Sequence, residues 1–123
     1  MTAAFSFGRA DNGNDVIATG VGTAQVGSVL LTGGVTQITS PTGATAFRLP
    51  FNYAVGSPIV VANASGSTAT ALIFPPLLAD NATASGGAIS RGTANASVTL
   101  AAGKTGLFFA HPNGIDYTFM LGA

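Results

Sequence analysis

Ala96-Ser97-Val98-Thr99-Leu100, then Ala101-Ala102-Gly103, then Lys104 and Thr105-Gly106-Leu107-Phe108-Phe109 carries the most convincing strand pattern in the chain. Two short runs carrying β-branched and large apolar residues flank a turn of small residues, which is the pattern of strands and not of a helix. The stretch reads as a hairpin.

Working outward, the same pattern recurs along the chain. Ile115 to Leu121 alternates Ile115, Tyr117, Phe119 and Leu121 against Asp116, Thr118 and Met120, as a terminal strand would. Pro58-Ile59-Val60-Val61-Ala62 and Thr70-Ala71-Leu72-Ile73-Phe74 flank the polar Asn63-Ala64-Ser65-Gly66-Ser67, which fits two buried strands joined by a turn, and Pro75-Pro76 stops the second. Thr45-Ala46-Phe47-Arg48-Leu49 places Phe47 and Leu49 on one face and Arg48 on the other. Ser28-Val29-Leu30-Leu31 and Val35-Thr36-Gln37-Ile38-Thr39 flank Thr32-Gly33-Gly34, a second hairpin expectation, because paired glycines supply the positive φ of tight turns. No window of ten or more residues keeps helical spacing without an interrupting Gly or Pro. About seven to nine short strands of this kind imply an all-β fold, an antiparallel β-sandwich or a jelly-roll-like small barrel with little or no helix. The sandwich is favoured because the strand spacing is irregular. Residues 1–22, rich in Gly, Asn, Asp and Ala, read as an extended N-terminal arm, and 23–123 as a single β domain.

Composition narrows the function. The chain has 123 residues, 47% of them hydrophobic, and only 7% charged. The charges are Arg9, Arg48, Arg91 and Lys104 against Asp11, Asp15, Asp80 and Asp116, where an ordinary soluble domain carries about a quarter. Net charge is zero, so no long-range field favours nucleic acid or an anionic bilayer. No stretch approaches the ~20 apolar residues of a membrane helix, and the start lacks the basic and apolar segments of a signal peptide. There is no cysteine, so no disulfide contributes to stability. A surface of Ala, Gly, Ser, Thr and Asn costs little to desolvate, which suits an exterior covered by neighbouring molecules. Too few lysines are present to protect sheet edges by charge, which again calls for partners.

Sites of chemistry are sparse. His111, the one histidine, sits in the turn Ala110-His111-Pro112-Asn113-Gly114 without a nucleophile elbow, so local hydrogen bonding is its expected role. One histidine without cysteine cannot build a usual zinc site. Asp11-Asn12-Gly13-Asn14-Asp15 is oxygen-rich but has Val16 at the sharp-turn glycine of a calcium loop and Gly22 at its bidentate glutamate, so it reads as a polar turn. Gly20-Val21-Gly22 lacks the third glycine of a dinucleotide fingerprint. Asn63-Ala64-Ser65, Asn81-Ala82-Thr83 and Asn95-Ala96-Ser97 are formal glycan acceptors that such a composition produces by chance. No cofactor, metal or catalytic residue is expected. The aromatics from Phe47 to Phe119 are expected in the core. Phe5 and Phe7 in the arm are candidate anchors for a neighbour's pocket, and Arg9, Arg48 and Arg91 are candidate partner contacts.

From about residue 22 to 119 the order of segments resembles small β-structured virion proteins of tailed bacteriophages, which decorate heads or form short fibres. The resemblance is carried by Thr36-Gln37-Ile38-Thr39, Phe47-Arg48-Leu49-Pro50, Val60-Val61-Ala62-Asn63-Ala64 and Ile73-Phe74-Pro75-Pro76. Its longest stretch runs from Gly86-Gly87-Ala88-Ile89-Ser90-Arg91-Gly92 through Thr93-Ala94-Asn95-Ala96 to Gly103. The arm before Gly22 and the loop from Leu77 to Ser85 depart from the pattern. The resemblance implies a non-enzymatic structural role on the capsid exterior, commonly as a homotrimer contacting the major capsid protein. The expected function is therefore that of a decoration, or cement, protein over capsomer junctions. The alternative, a short head or tail fibre with a receptor- or glycan-binding tip, would need a shaft repeat that this chain lacks.

Overall fold

The computed structural model describes residues 15–16, 23–38, 44–63 and 70–122, and these form an all-β structure without helix. Nine strands run β1 (Asp15–Val16), β2 (Val29–Leu30), β3 (Val35–Ile38), β4 (Ala44–Arg48), β5 (Ile59–Asn63), β6 (Thr70–Phe74), β7 (Val98–Ala101), β8 (Thr105–Ala110) and β9 (Tyr117–Gly122). They build a five-stranded sheet in the order β1-β3-β5-β8-β9 and a four-stranded sheet in the order β2-β4-β6-β7. The sheets are open and pack as a small sandwich, not as a closed barrel. Asp15 and Val16, in the stretch read as an arm, pair with Gln37 and Ile38 of β3.

Through its first six strands the chain alternates between the sheets. Odd strands therefore stack in parallel in one layer and even strands in the other. Parallel neighbours need a crossover, and here each crossover is a strand of the opposite sheet where a helix is usual. From β7 onward the pairing is antiparallel: β7 on β6, β8 on β5 and β9 on β8. The sheets are thus mixed, where the sequence reading expected antiparallel ones.

Both expected hairpins are the point of difference. Val29–Leu30 and Val35–Ile38 form strands, and Gly33 and Gly34 do take positive φ, but the two strands belong to opposite sheets. Likewise β7 and β8 lie in different sheets, as do β5 and β6. The reason at β7–β8 is Asn63, buried at the end of β5. Its backbone N–H donates to Lys104 O (2.9 Å), its C=O accepts from Gly103 N–H (2.7 Å), and its side-chain Nδ2 donates to Leu100 O (2.8 Å). The turn thus wraps around a third strand and becomes an arch between layers. β8 and β9 do form a hairpin, through 111–116, with Phe108 opposite Phe119.

The core lies between the layers. Phe47, Leu49, Ile73 and Leu100 come from the four-stranded side and its flank, and Ile59, Val61, Phe108 and Tyr117 from the other. Each such side chain contributes about 1.5–3 kcal/mol by leaving water. Phe108 and Phe119 stack with ring centroids 4.8 Å apart, and Gly106 beside them has no side chain for a reason: a Cβ there would sit 2.6 Å from the Phe119 ring. Of the aromatics expected in the core, Phe47, Phe108 and Tyr117 are fully buried, whereas Phe51, Tyr53, Phe74, Phe109 and Phe119 are half-buried.

Two joints lock the loops to this core. Gln25 is buried and its Nε2 donates to the carbonyls of Pro75 (2.9 Å) and Pro76 (3.2 Å), tying the 25–28 turn to the end of β6. Tyr117 donates its hydroxyl to Pro50 O at 2.7 Å, and burial pushes its pKa far up, so it stays a neutral donor.

Candidate interaction surface

Strand alternation gives each sheet an inner and an outer face. On the outer face of the five-stranded sheet the register aligns Val35, Val60, Leu107 and Met120 in one row across β3, β5, β8 and β9. A second row holds Gln37, Ala62, Thr105 and Gly122, with Asp15 of the edge strand β1 in register beside Gln37, and beyond the first lie Phe109 and Thr118. Val35 is 41% and Met120 57% exposed, with Val60, Leu107 and Phe109 half-buried between them. Among the described side chains of these rows none is ionisable. His111 borders them, hydrogen-bonded through Nε2 to Thr118 Oγ1 at 2.7 Å.

At β9 the apolar surface turns the corner of the sheet. Each of β1, β3, β5 and β8 connects directly across to a strand of the smaller sheet, which leaves β9 without a counterpart. Its first half is covered: Tyr117 N–H donates to Ala88 O, Ser90 N–H to Tyr117 O, and Phe119 N–H to Ser90 Oγ. Leu121 is next in that alternation. It lies on the inner face yet is 59% exposed. Met120 and Leu121 therefore present apolar side chains on both faces of one open strand end.

The four-stranded sheet is dressed differently. Leu30, Arg48 and Phe74 align across its outer face. The Arg48 guanidinium donates to Ser28 O and, at 3.3 Å, to Asn81 Oδ1. A cleft of about 290 Å³ opens there between Leu30, Arg48, Pro50, Phe51, Leu78 and Asn81. Its far wall is the 77–83 turn, held by Asp80, whose Oδ1 accepts the N–H of Ala82 and of Thr83 and whose Oδ2 accepts the Thr83 hydroxyl. These bonds, the Thr83 hydroxyl first, keep the exposed Asp80 carboxylate below its ordinary pKa.

Among the described residues, Asp80, Asp116 and His111 are each engaged in local hydrogen bonds. Asp116 Oδ1 accepts from Ala88 N–H and Oδ2 from Asn113 Nδ2, both at 2.8 Å, and these donors, with His111 nearby, hold its carboxyl below the ordinary value. Among the described residues no group of three His, Asp, Glu or Cys is placed to hold a metal, and no helix is long and apolar enough to cross a membrane.

Of the residues singled out as partner contacts, Phe5, Phe7 and Arg9 lie outside the described residues, as does the oxygen-rich 11–14. Arg48 edges the cleft, half-buried, and Arg91 sits exposed at a turn with φ 61°. The structure does not bring Arg48 and Arg91 together by any ion pair or hydrogen bond among the described residues. Of the formal glycan acceptors, Asn63 is buried with its amide bonded to Leu100 O, so it cannot carry a sugar in this fold, while Asn81 is exposed. Residues not singled out, Val35, Val60, Leu107, Met120 and Leu121, make up this apolar exterior. Their signal was present in the runs Ile59-Val60-Val61 and Leu107-Phe108-Phe109, which are apolar on both faces of a strand. Comparison with protein-family models, with curated proteins and with solved structures finds no match.

Proposed function

We propose that this chain is a structural component of a larger particle, a decoration protein that binds the exterior of a tailed-phage capsid over the junctions between its subunits. The observation that carries the structural role is the apolar row Val35, Val60, Leu107 and Met120 on the outer face of the five-stranded sheet, because a contiguous exposed apolar row on a small domain favours a place where another molecule sits. The capsid setting comes from the resemblance in segment order. The engagement of His111, Asp116 and Asp80 in local hydrogen bonds also favours assembly over catalysis.

The mechanism is mass action. A protein that binds the closed shell and not its separated subunits stabilises the shell by RT ln(1 + [L]/Kd) per site, roughly 2.7 kcal/mol at a hundredfold excess over Kd. Many weak sites on one particle add through multivalency. Binding as an oligomer, a trimer on the strength of the resemblance, would let one decoration unit bridge several capsid subunits.

The test is electron cryomicroscopy of particles with and without the chain, together with their thermal dissociation. Regular density over capsomer junctions and a higher dissociation temperature are expected. Density confined to one vertex or to the tail would assign the chain to a fibre, and absence from the particle would overturn the proposal.

A further inference from the structure

We propose that the outer face of the five-stranded sheet, with the open end of β9, is the surface through which one copy of this chain meets a second copy. The inference rests on the structural role proposed above and not on its trimeric form, because a face that meets its own copy pairs two-fold.

The first argument is charge. A partner with a charged docking surface would leave ions buried against Val35, Val60, Leu107 and Met120, and removing a charge from water without a counter-ion is costly. Across β3, β5, β8 and β9 a second copy brings rows with no ionisable side chain, so self-contact over these four strands buries no charge, and Asp15, in register with Gln37, stands outside them on the edge strand β1. Two-fold pairing of one patch with itself is also the commonest way soluble chains associate.

The second argument is size. Four strands about 4.8 Å apart, and three rows about 6.8 Å apart, cover roughly 400 Å² of sheet per copy. Adding Leu121 at the corner, two copies would bury roughly 800–1,000 Å² in total, just under the standard interface of about 1,200–2,000 Å². Such a contact is reversible in dilute solution and becomes occupied where copies are concentrated on a repeating support.

The third argument is continuity. Met120 on the outer face and Leu121 on the inner face share one strand end whose outward backbone groups are the next in line after those taken by Ala88 and Ser90. A neighbouring copy can therefore add backbone hydrogen bonds at the rim of the apolar contact.

Sedimentation of the purified chain across a micromolar to millimolar series tests this without any capsid. The wild-type chain is expected to rise from 12.0 kDa toward a dimer or small oligomer, with a dissociation constant on the order of 10–500 µM. Met120→Lys and Val35→Lys, each placing a charge in the row, are expected to weaken association about tenfold or more. Val26→Lys, at a valine outside the rows that is 55% exposed, should associate like wild type. Unfolding temperatures near wild type confirm that both charge variants are folded. A wild-type chain that stays monomeric throughout, or Met120→Lys and Val35→Lys proteins that associate as wild type does, overturns the inference. Association lost in both variants but with no density on particles would leave this contact standing and remove the capsid reading instead.

Discussion

The outer faces of the two sheets start from similar strands and end differently. On the four-stranded sheet Leu30 and Phe74 flank Arg48, whose guanidinium is tied to Ser28 and Asn81, and the 77–83 turn walls the cleft beside it. On the five-stranded sheet the corresponding apolar row runs from Val35 to Met120 with no such cover, and the one ionisable residue in register with its outer rows, Asp15, stands on the edge strand β1. One loop and one guanidinium cover part of the smaller sheet's outer face, where Leu30 stays 42% exposed, and nothing equivalent lies over the row of the larger sheet among the described residues. In a chain with 7% charged residues, where the few charges stand decides which surfaces are closed.

The largest effect should come from crossing the five-stranded sheet from one face to the other. Phe108→Ala, on its inner face, is expected to cost about 3–5 kcal/mol in urea unfolding, whereas Met120→Ala, on its outer face, should stay within about 0.5 kcal/mol. Equal costs would mean that the outer row is packed in the free chain and the comparison is void. Next is Gly106→Ala, whose methyl group would press on the stacked Phe119 and Phe108 rings; a loss of about 1–3 kcal/mol is expected from the same experiment.

A smaller effect sharpens the comparison from the other sheet. Arg48→Met removes both guanidinium bonds and should cost about 1 kcal/mol, with faster hydrogen exchange at the amides of Leu78 and Asn81 in the turn beside the cleft. If those amides exchange as before, the turn stands without Arg48 and the cleft is not held by it. The smallest effect concerns the cover over β9, which Asp116 holds through Ala88 N–H. Because the folded carboxyl has a pKa below its ordinary 3.8, its contribution is complete above that value and is lost as pH falls through the folded value. The melting temperature should therefore drop in this acid range, and Asp116→Asn should show a smaller part of that drop. An identical acid profile in Asp116→Asn would show that the Ala88 contact contributes no stability.

The positions of β2 to β9 were legible in the sequence because alternation and turn residues act locally, whereas the two-residue β1 lies in the stretch read as an arm and is too short to show alternation. Phe47 and Leu49 are buried with Arg48 on the opposite face, as period two requires. Pairing was not legible. A Gly-Gly or Ala-Ala-Gly turn looks the same whether it joins neighbours in one sheet or arches between two layers. What selects the arch at 101–104 is Asn63, some forty residues away in sequence, which takes hydrogen bonds from and gives them to the turn.

The interaction surface was half legible for a related reason. Apolar residues at consecutive positions, as in Leu107-Phe108-Phe109, state that both faces of a strand are apolar, but not which molecule covers the outer one. Leu121 follows the alternation of Tyr117 and Phe119 and does point to the inner face. It is exposed because the smaller sheet has no strand opposite β9, a property of strand count that no local pattern encodes.

The most direct test of this account uses Met120 as a built-in probe, since an exposed thioether is oxidised by dilute peroxide and a covered one is shielded. Peptide mass spectrometry would follow its conversion to the sulfoxide in the dilute chain and in the assembled state. Ready oxidation in the dilute chain and strong protection on assembly is the expected result. Equal rates in the two states would mean that this face stays open to solvent, and would contradict the claim that it exists to be covered.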